Sequence, residues 1–195
     1  MKRKAWWQTP GTLPNNKKVT LQSQAGPVGK NWWTRQFVLA LEDFGDDDRL
    51  NRAKYCARNG FGNYIRLGPG EVSMGICCSG KKTRIVGFIF PRFSEEVWDS
   101  IIGIIAGDAA LTGSLLAGEF TRDLVNVLEE KEVCIIPDQY RRVRAYCPCA
   151  DSHNPCIHTG AAWYFLAEIL DEDPWMLFLL HGMTKEEVIS RVQSI

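Results

Sequence analysis

Several features that are common in enzymes and membrane proteins are scarce or missing in this sequence. It contains three histidines, no glycine-rich phosphate-binding loop, and no nucleophile and base at an informative spacing. Its longest apolar runs, near residues 101–105 and 175–180, are far too short to span a bilayer. We therefore expect a soluble protein that binds other molecules and is not an enzyme.

An N-terminal apolar stretch of the signal-peptide type is also missing, although the chain contains seven cysteines. Cysteines in a reducing compartment stay as thiols and serve metal sites more often than disulfides. These two observations predict a cytoplasmic protein whose clustered cysteines bind a metal ion.

The net charge of the whole chain is zero, but the two halves of the chain carry net charges of opposite sign. Residues 1–92 contain 16 Lys and Arg and 6 Asp and Glu, whereas residues 93–195 contain 7 and 17. If the halves are separate in space, the basic side could bind phosphate groups. If they pack together, the charges neutralise each other. The isoelectric point of about 6.8 is lower than that of a dedicated duplex-binding domain.

The most informative motif is Cys147-Pro148-Cys149 followed by Cys156-Ile157-His158. Residues two apart on a strand point to the same side, so the first two sulfurs can face one point. The second pair is expected at the start of the helix after Pro155, where the helix dipole stabilises a thiolate. Three thiolates and one imidazole complete the tetrahedral shell of Zn²⁺, which is typical of a structural site.

Two alternatives to this ligand set remain open. His153 lies between the two pairs and is a rival ligand, although Cys156 and His158 repeat the compact spacing of the first pair. The neighbouring thiols could also form disulfides instead of binding a metal ion.

The spacing C-x-C, spacer, C-x-H, followed by a helix, resembles the SWIM-type zinc finger, whose four metal positions fall on Cys147, Cys149, Cys156 and His158. Four upstream segments also resemble prokaryotic proteins with this finger: residues 29–33, 40–42, 55–60 and 115–119. The resemblance implies zinc binding and a module that contacts nucleic acid or protein, in company with helicases, transposases and recombination factors. It does not imply an activity.

The chain divides into three predicted regions, of the α+β class. Residues 1–30 contain five Lys, one Arg and no acidic residue, and are interpreted as a basic arm with Trp6 or Trp7 as an anchor. Residues 31–137 are predicted to form a small antiparallel β-meander covered by helices. Residues 138–195 are predicted to contain a zinc-bound hairpin and C-terminal helices.

Two groups of basic residues are candidate contacts to phosphate or to a partner. Lys81, Lys82 and Arg84 lie at a predicted hairpin turn. The second group lies just before the metal motif, and its members are Arg141, Arg142 and Arg144. A strand there would place Arg142 and Arg144 on one face, where they could neutralise the metal site or bind a partner. Both roles remain open.

Cys77 and Cys78 are adjacent on a predicted strand and point to opposite faces, so they cannot share a metal ion. We interpret both as small packing residues.

These observations favour a zinc-binding interaction protein, acting as an adaptor or accessory subunit of a larger assembly with a protein partner. Nucleic acid is a second expected ligand. The alternative is a stand-alone DNA- or RNA-binding accessory protein that works with a helicase or recombination factor. No small-molecule substrate and no membrane association are expected.

Overall fold

Short runs of β-branched and aromatic residues bounded by glycine form the sheet, and longer runs with apolar residues every three or four positions form the helices. The computed structural model describes residues 21–78 and 82–195, and these contain eight α-helices and four β-strands. In chain order they are α1 (Trp32–Glu42), α2 (Asp47–Asn59), β1 (Phe61–Gly68), β2 (Glu71–Cys77), β3 (Arg84–Ile89), α3 (Glu95–Gly107), α4 (Ala109–Leu116), α5 (Arg122–Glu129), β4 (Arg144–Tyr146), α6 (Ile157–Glu172), α7 (Trp175–Leu180) and α8 (Lys185–Val192). The predicted α+β class is confirmed.

Most helices are preceded by a capping residue whose side chain accepts a hydrogen bond from a backbone amide in the first turn of the helix. The capping residues with this contact are Asp46, Ser94, Asp108, Thr121, Cys156 and Thr184. At Thr184 the contact is reciprocal, since Glu187 accepts from the Thr184 amide. Asn31 differs from this pattern because its side chain donates to the carbonyl of Asp171 instead of capping α1.

The sheet is antiparallel throughout, with strand order β1-β2-β3-β4. The first three strands form the predicted meander. The fourth strand is shorter than predicted, because residues Tyr140–Arg142 form a 3-10 turn. Arg142 therefore lies outside the strand, and the prediction that it shares a strand face with Arg144 is wrong.

Helix α6 lies at the centre of the core and packs on β2 and β3. Its Trp163 is fully buried, stacks on Phe37 with ring centroids 4.1 Å apart, and donates from Nε1 to the Phe37 carbonyl at 2.9 Å. Phe88 from β3 contacts the same indole ring edge-on. A single core cluster runs from Leu21 to Val188, so both sides of residue 137 contribute to it. The predicted division into regions stays a prediction.

The basic and acidic halves of the chain pack against each other. The backbone amides of Lys30 and Asn31 donate to the carboxylate of Asp171 at 2.7 and 2.9 Å. The amide of Ser23 donates to Glu168 at 2.8 Å. The acidic end of α6 is thus covered by the segment that precedes α1, which confirms the alternative in which the halves are not separate.

The two faces of the sheet have different environments. The inner face carries apolar side chains that are buried beneath the helices: Ile65, Val72, Met74, Ile76, Val86 and Phe88. On the outer face, one row crosses all four strands through the paired residues Arg66, Ser73, Gly87 and Tyr146. The ring of Tyr146 is exposed there, as are Ile85 and Ile89.

Among the described residues, no individual helix has the length and apolar composition needed to cross a bilayer. Helices α3 and α4 meet these criteria only when taken together, and they are bent by 99° relative to each other.

Candidate metal centre

The four predicted ligands lie together between the end of β4 and the start of α6. Cys147 and Cys149 directly follow β4, which pairs with β3 through Gly87 and Ile89. Cys156 is the N-cap of α6, and His158 lies in its first turn. The ligand atoms of these four residues lie within 4.8 Å of one another, close enough to bind one metal ion. The predicted ligand cluster is therefore confirmed as a candidate metal site.

Cys156 has two roles at the start of α6. Its Sγ accepts from the amide of Thr159 at 3.4 Å, while the Thr159 hydroxyl accepts from the Cys156 amide at 2.9 Å. Hydrogen bonds from the Cys147 thiol, from His158 and from Thr159 lower the pKa of Cys156. The shared hydrogen bond with Cys156 raises the pKa of Cys147. These hydrogen bonds and the positive end of the helix favour the thiolate form of Cys156.

His158 supports the same assignment through its unused nitrogen. Its Nδ1 is buried and has no hydrogen-bond partner among the described residues. A buried polar atom without a partner is costly, and coordination of a metal ion would satisfy it. The chemistry of the donor set fits as well, since thiolates and imidazole bind the same soft and borderline divalent ions.

The loop between the two ligand pairs is held by contacts of its own. Asp151 forms an ion pair with Arg49 of α2 and accepts from the amide of His153 at 3.1 Å. Tyr140 is buried and donates to Asn154 Oδ1 at 2.8 Å. The His153 side chain is 67% exposed and lies beside Asp151, outside the cluster, so the structure does not favour it as a ligand.

The predicted basic contacts lie in several places. Arg84 donates from Nη1 to the carbonyl of Pro148 at 3.4 Å, so it contacts the backbone between Cys147 and Cys149 directly. Arg141 donates from Nε to Oε1 of Gln139 at 3.0 Å. Arg142 forms an ion pair with Asp138, with Nη1 and Oδ1 3.8 Å apart. Arg144 is exposed on the outer face of the sheet.

Lys82 is also exposed. Lys81, Trp6 and Trp7 lie outside the described residues. The roles of all these residues in binding remain predictions.

The structure contains a disulfide that is not predicted by the sequence. Cys56 of α2 is bonded to Cys78, which directly follows β2, with Cα atoms 4.8 Å apart. The interpretation of Cys78 as a packing residue is therefore wrong, because α2 brings a second cysteine against the end of the strand. Cys77 is buried and free, as a packing residue would be. The separation of 22 residues gives no local signal for such a pair.

The outer sheet face was also missed, although the sequence contains a signal for it. In β2 the polar or small residues Glu71 and Ser73 alternate with Val72 and Met74, which is the pattern of a strand with one buried face. The same alternation around Arg66 would have placed that arginine on the exposed face. The fourth strand could not be aligned with these three from sequence because it is separated from them by three helices.

The fold and the cluster together define an α+β protein with a candidate Cys₃His metal site at the junction of its sheet and its central helix. The chain is similar to uncharacterized protein Rv2102 from Mycobacterium tuberculosis, with 27% identity over 188 residues that cover 95% of this chain and 68% of that protein. No family model matches the chain. No solved structure matches it either.

Proposed function

We propose that this chain is a zinc-binding interaction protein, in which one structural Zn²⁺ fixes a surface that an assembly partner recognises. The observation that carries the proposal is the grouping of four soft and borderline ligand atoms within 4.8 Å, supplied by Cys147, Cys149, Cys156 and His158. Three thiolates and one imidazole are a common donor set of structural zinc sites.

A structural role is favoured over a catalytic one by the number of ligands. Four protein ligands fill the tetrahedral shell of Zn²⁺ and leave no position for a water molecule or a substrate. The bound ion would connect the end of β4 to the first turn of α6, and so fix the short strand against the sheet. The role of the metal is then to hold the exposed groups of β4 in place for a partner.

We also assign the module to the SWIM type as part of this proposal. The support is the spacing of the four ligands and the helix that starts at Cys156. The exposed Arg141 and Arg142 lie just before β4 and are the proposed contacts to a protein partner. The chain is proposed to act as an adaptor or accessory subunit and to catalyse no reaction.

Metal analysis of the purified 195-residue chain by mass spectrometry tests the proposal. We expect one zinc ion per chain, and its loss in Cys147→Ser. Cys134→Ser is the matched control, because Cys134 is a free cysteine that donates to the carbonyl of Ile136 and lies outside the cluster. Wild-type protein without bound metal, or with equal metal loss in the two variants, would rule out this ligand set.

A further inference from the structure

The outer face of the sheet forms an open groove, and the exposed side of β4 is one edge of it. Its volume is about 680 Å³, and its lining includes three arginines, Arg66, Arg92 and Arg144, and one carboxylate, Glu71. In the part of the chain that the structure describes, none of these arginines belongs to an ion pair. The groove therefore presents positive charge that is free to bind an anionic ligand.

Aromatic and aliphatic side chains also line the groove. The ring of Tyr146 is 65% exposed, and Ile89 is 48% exposed on the neighbouring strand. Tyr64 is half-buried on the same sheet face, with its hydroxyl 3.5 Å from Ser73 Oγ, and lies outside the groove lining. An exposed tyrosine on the edge strand, close to basic groups, matches the chemistry of nucleobases linked by phosphates.

The floor of the groove leaves room for flat rings. Gly87 is paired with Ser73 and Tyr146, and a Cβ added to it would meet only the carbonyl of Val72, at 3.9 Å. Three strand spacings separate β1 from β4, which is about 14 Å. Four-stranded sheets bind two or three bases of single-stranded RNA across such a width.

One of the arginines is held in position by the backbone around it. Arg92 donates to the carbonyl of Pro69 and packs against Gly70, which has a positive φ of 72°. A Cβ added at Gly70 would lie 2.6 Å from Arg92 Nε, so glycine is required for this contact. This contact places the guanidinium at one end of the groove, where it can bind a phosphate.

We propose that this groove binds single-stranded nucleic acid, with a base stacked on Tyr146 and phosphates bound by Arg66, Arg92 and Arg144. Stacking requires unpaired bases, so duplex is the weaker ligand. Residues 1–20 of the chain are a poor occupant because they contain five basic residues and no acidic residue. An acidic protein segment would match the arginines but would leave the exposed ring of Tyr146 without a partner.

The test is fluorescence anisotropy of a labelled 12-nucleotide deoxythymidine oligomer, and of a duplex of equal length, with the 195-residue chain at several salt concentrations. We expect the single strand to bind more tightly than the duplex. Three phosphate contacts on a single strand predict a slope of about −2 for log K against log salt. Arg144→Ala should reduce the magnitude of that slope by about 0.7, which is the contribution of one phosphate.

Tyrosine variants show whether the oligomer binds at the groove or at another basic part of the chain. Tyr146→Ala should weaken single-strand binding about tenfold, and Tyr146→Phe should retain it, since one stacked base is worth this much. Tyr55→Ala is the matched control, because Tyr55 is 69% exposed on α2, away from the outer sheet face. Arg52→Ala on the same helix is the control for Arg144→Ala.

Three results would overturn the assignment. The first is an absence of binding at low salt, which would leave an acidic protein segment as the occupant. The second is a preference for duplex, and the third is an equal effect of Tyr146→Ala and Tyr55→Ala. Metal content and melting temperature of each variant show whether a loss of binding reflects a loss of folding. The zinc assignment is tested by metal analysis alone, so either proposal can fail without the other.

Discussion

The chain uses its cysteines in two different ways, and the two groups form cross-links of different range. The candidate metal site takes three cysteines and a histidine from residues 147–158 and joins β4 to α6. The disulfide joins Cys56 and Cys78 across 22 residues, from α2 to the end of β2. The first group is local in sequence and depends on a bound ion, whereas the second is distant in sequence and covalent.

This difference teaches what each cross-link can stabilise. A disulfide stabilises mainly by restricting the unfolded chain, so its effect extends over the whole fold. A metal site contributes the free energy of metal binding to the structure around its ligands. We therefore expect metal removal to release the end of the sheet, and reduction of the disulfide to lower the stability of the whole domain.

The largest effect is expected from loss of a metal ligand. Cys147→Ser should lower the free energy of unfolding by roughly 4 kcal/mol or more, since structural metal sites contribute several kcal/mol to folding. Hydrogen exchange should become faster mainly in β4 and the first turn of α6. The rest of α6 should stay protected through the buried Trp163. Uniform loss of protection along α6 would show that the metal site supports the whole core.

Removal of the disulfide is expected to have the second largest effect. The double variant Cys56→Ser, Cys78→Ser should lose about 3 kcal/mol of stability for a closed loop of this length. Denaturant unfolding measures this loss, and a reducing agent should give the same loss in the wild-type protein. Cys77→Ser is the matched control, because Cys77 is the adjacent buried thiol without a partner sulfur. Metal content should be unchanged in all these variants, and a change would mean that the two cross-links are coupled.

A third long-range connection involves no cysteine and should respond to pH. His181 is buried, with Nδ1 2.9 Å from the carbonyl of Pro91 and Nε2 3.0 Å from that of Ile135, and its ring stacks on Phe93. Burial lowers the pKa of His181 below its ordinary value of 6.5, although the two carbonyls oppose this shift. The unfolded chain therefore binds a proton more readily than the folded chain as the pH falls below about 6.5.

The free energy of unfolding should accordingly be at its full value above pH 6.5 and should decrease as the pH falls from there through the folded pKa. Denaturant unfolding between pH 7.5 and pH 5.5 measures the effect. In His181→Gln the decrease in the free energy of unfolding that is caused by His181 should vanish. The pH dependence caused by surface carboxylates should remain. A wild-type protein that becomes more stable at low pH would show instead that both carbonyls accept from a charged imidazolium.

The smallest effect is expected at the ion pair between Arg49 and Asp151. This pair connects α2 to the loop between the two pairs of metal ligands. Both side chains are partly exposed, at 24% and 28%, so the pair contributes little. Arg49→Ala should cost about 0.5 kcal/mol. Arg52→Ala, on the same helix, should cost less. If Arg49→Ala also weakened metal binding strongly, α2 would be part of the support of the metal site.

The sequence contained enough information for the local parts of this architecture. The C-x-C and C-x-H spacings predict the ligand cluster because all four side chains come from one turn and one helix start. The alternation of apolar and polar residues, together with glycine at the turns, predicts the meander. This also works from local sequence, because each turn links two strands that are adjacent in the chain. Capping residues such as Ser94 and Thr184 predict helix starts because they contact amides two or three residues away.

The rest depends on contacts between distant segments. Neither Cys56 nor Cys78 indicates its partner, because only the packing of α2 against β1 and α6 brings their sulfurs together. Tyr146 acquires its position on the outer face from its pairing with Gly87, nearly 60 residues earlier. The turn at Tyr140–Arg142 was missed because the buried Tyr140, held by Trp163 and Asn154, overrides the strand tendency of the following residues.

The double role of Cys156 links the start of the central helix to the occupancy of the metal site. One sulfur both caps the first turn and belongs to the ligand cluster, so the helix cannot begin one residue earlier or later without giving up a ligand. Metal loading would then select the residue at which α6 begins, whereas the stacking of Trp163 on Phe37 holds the rest of the helix with or without an ion. A metal-free form should therefore keep the body of the helix and lose only the fixed position of its first residue.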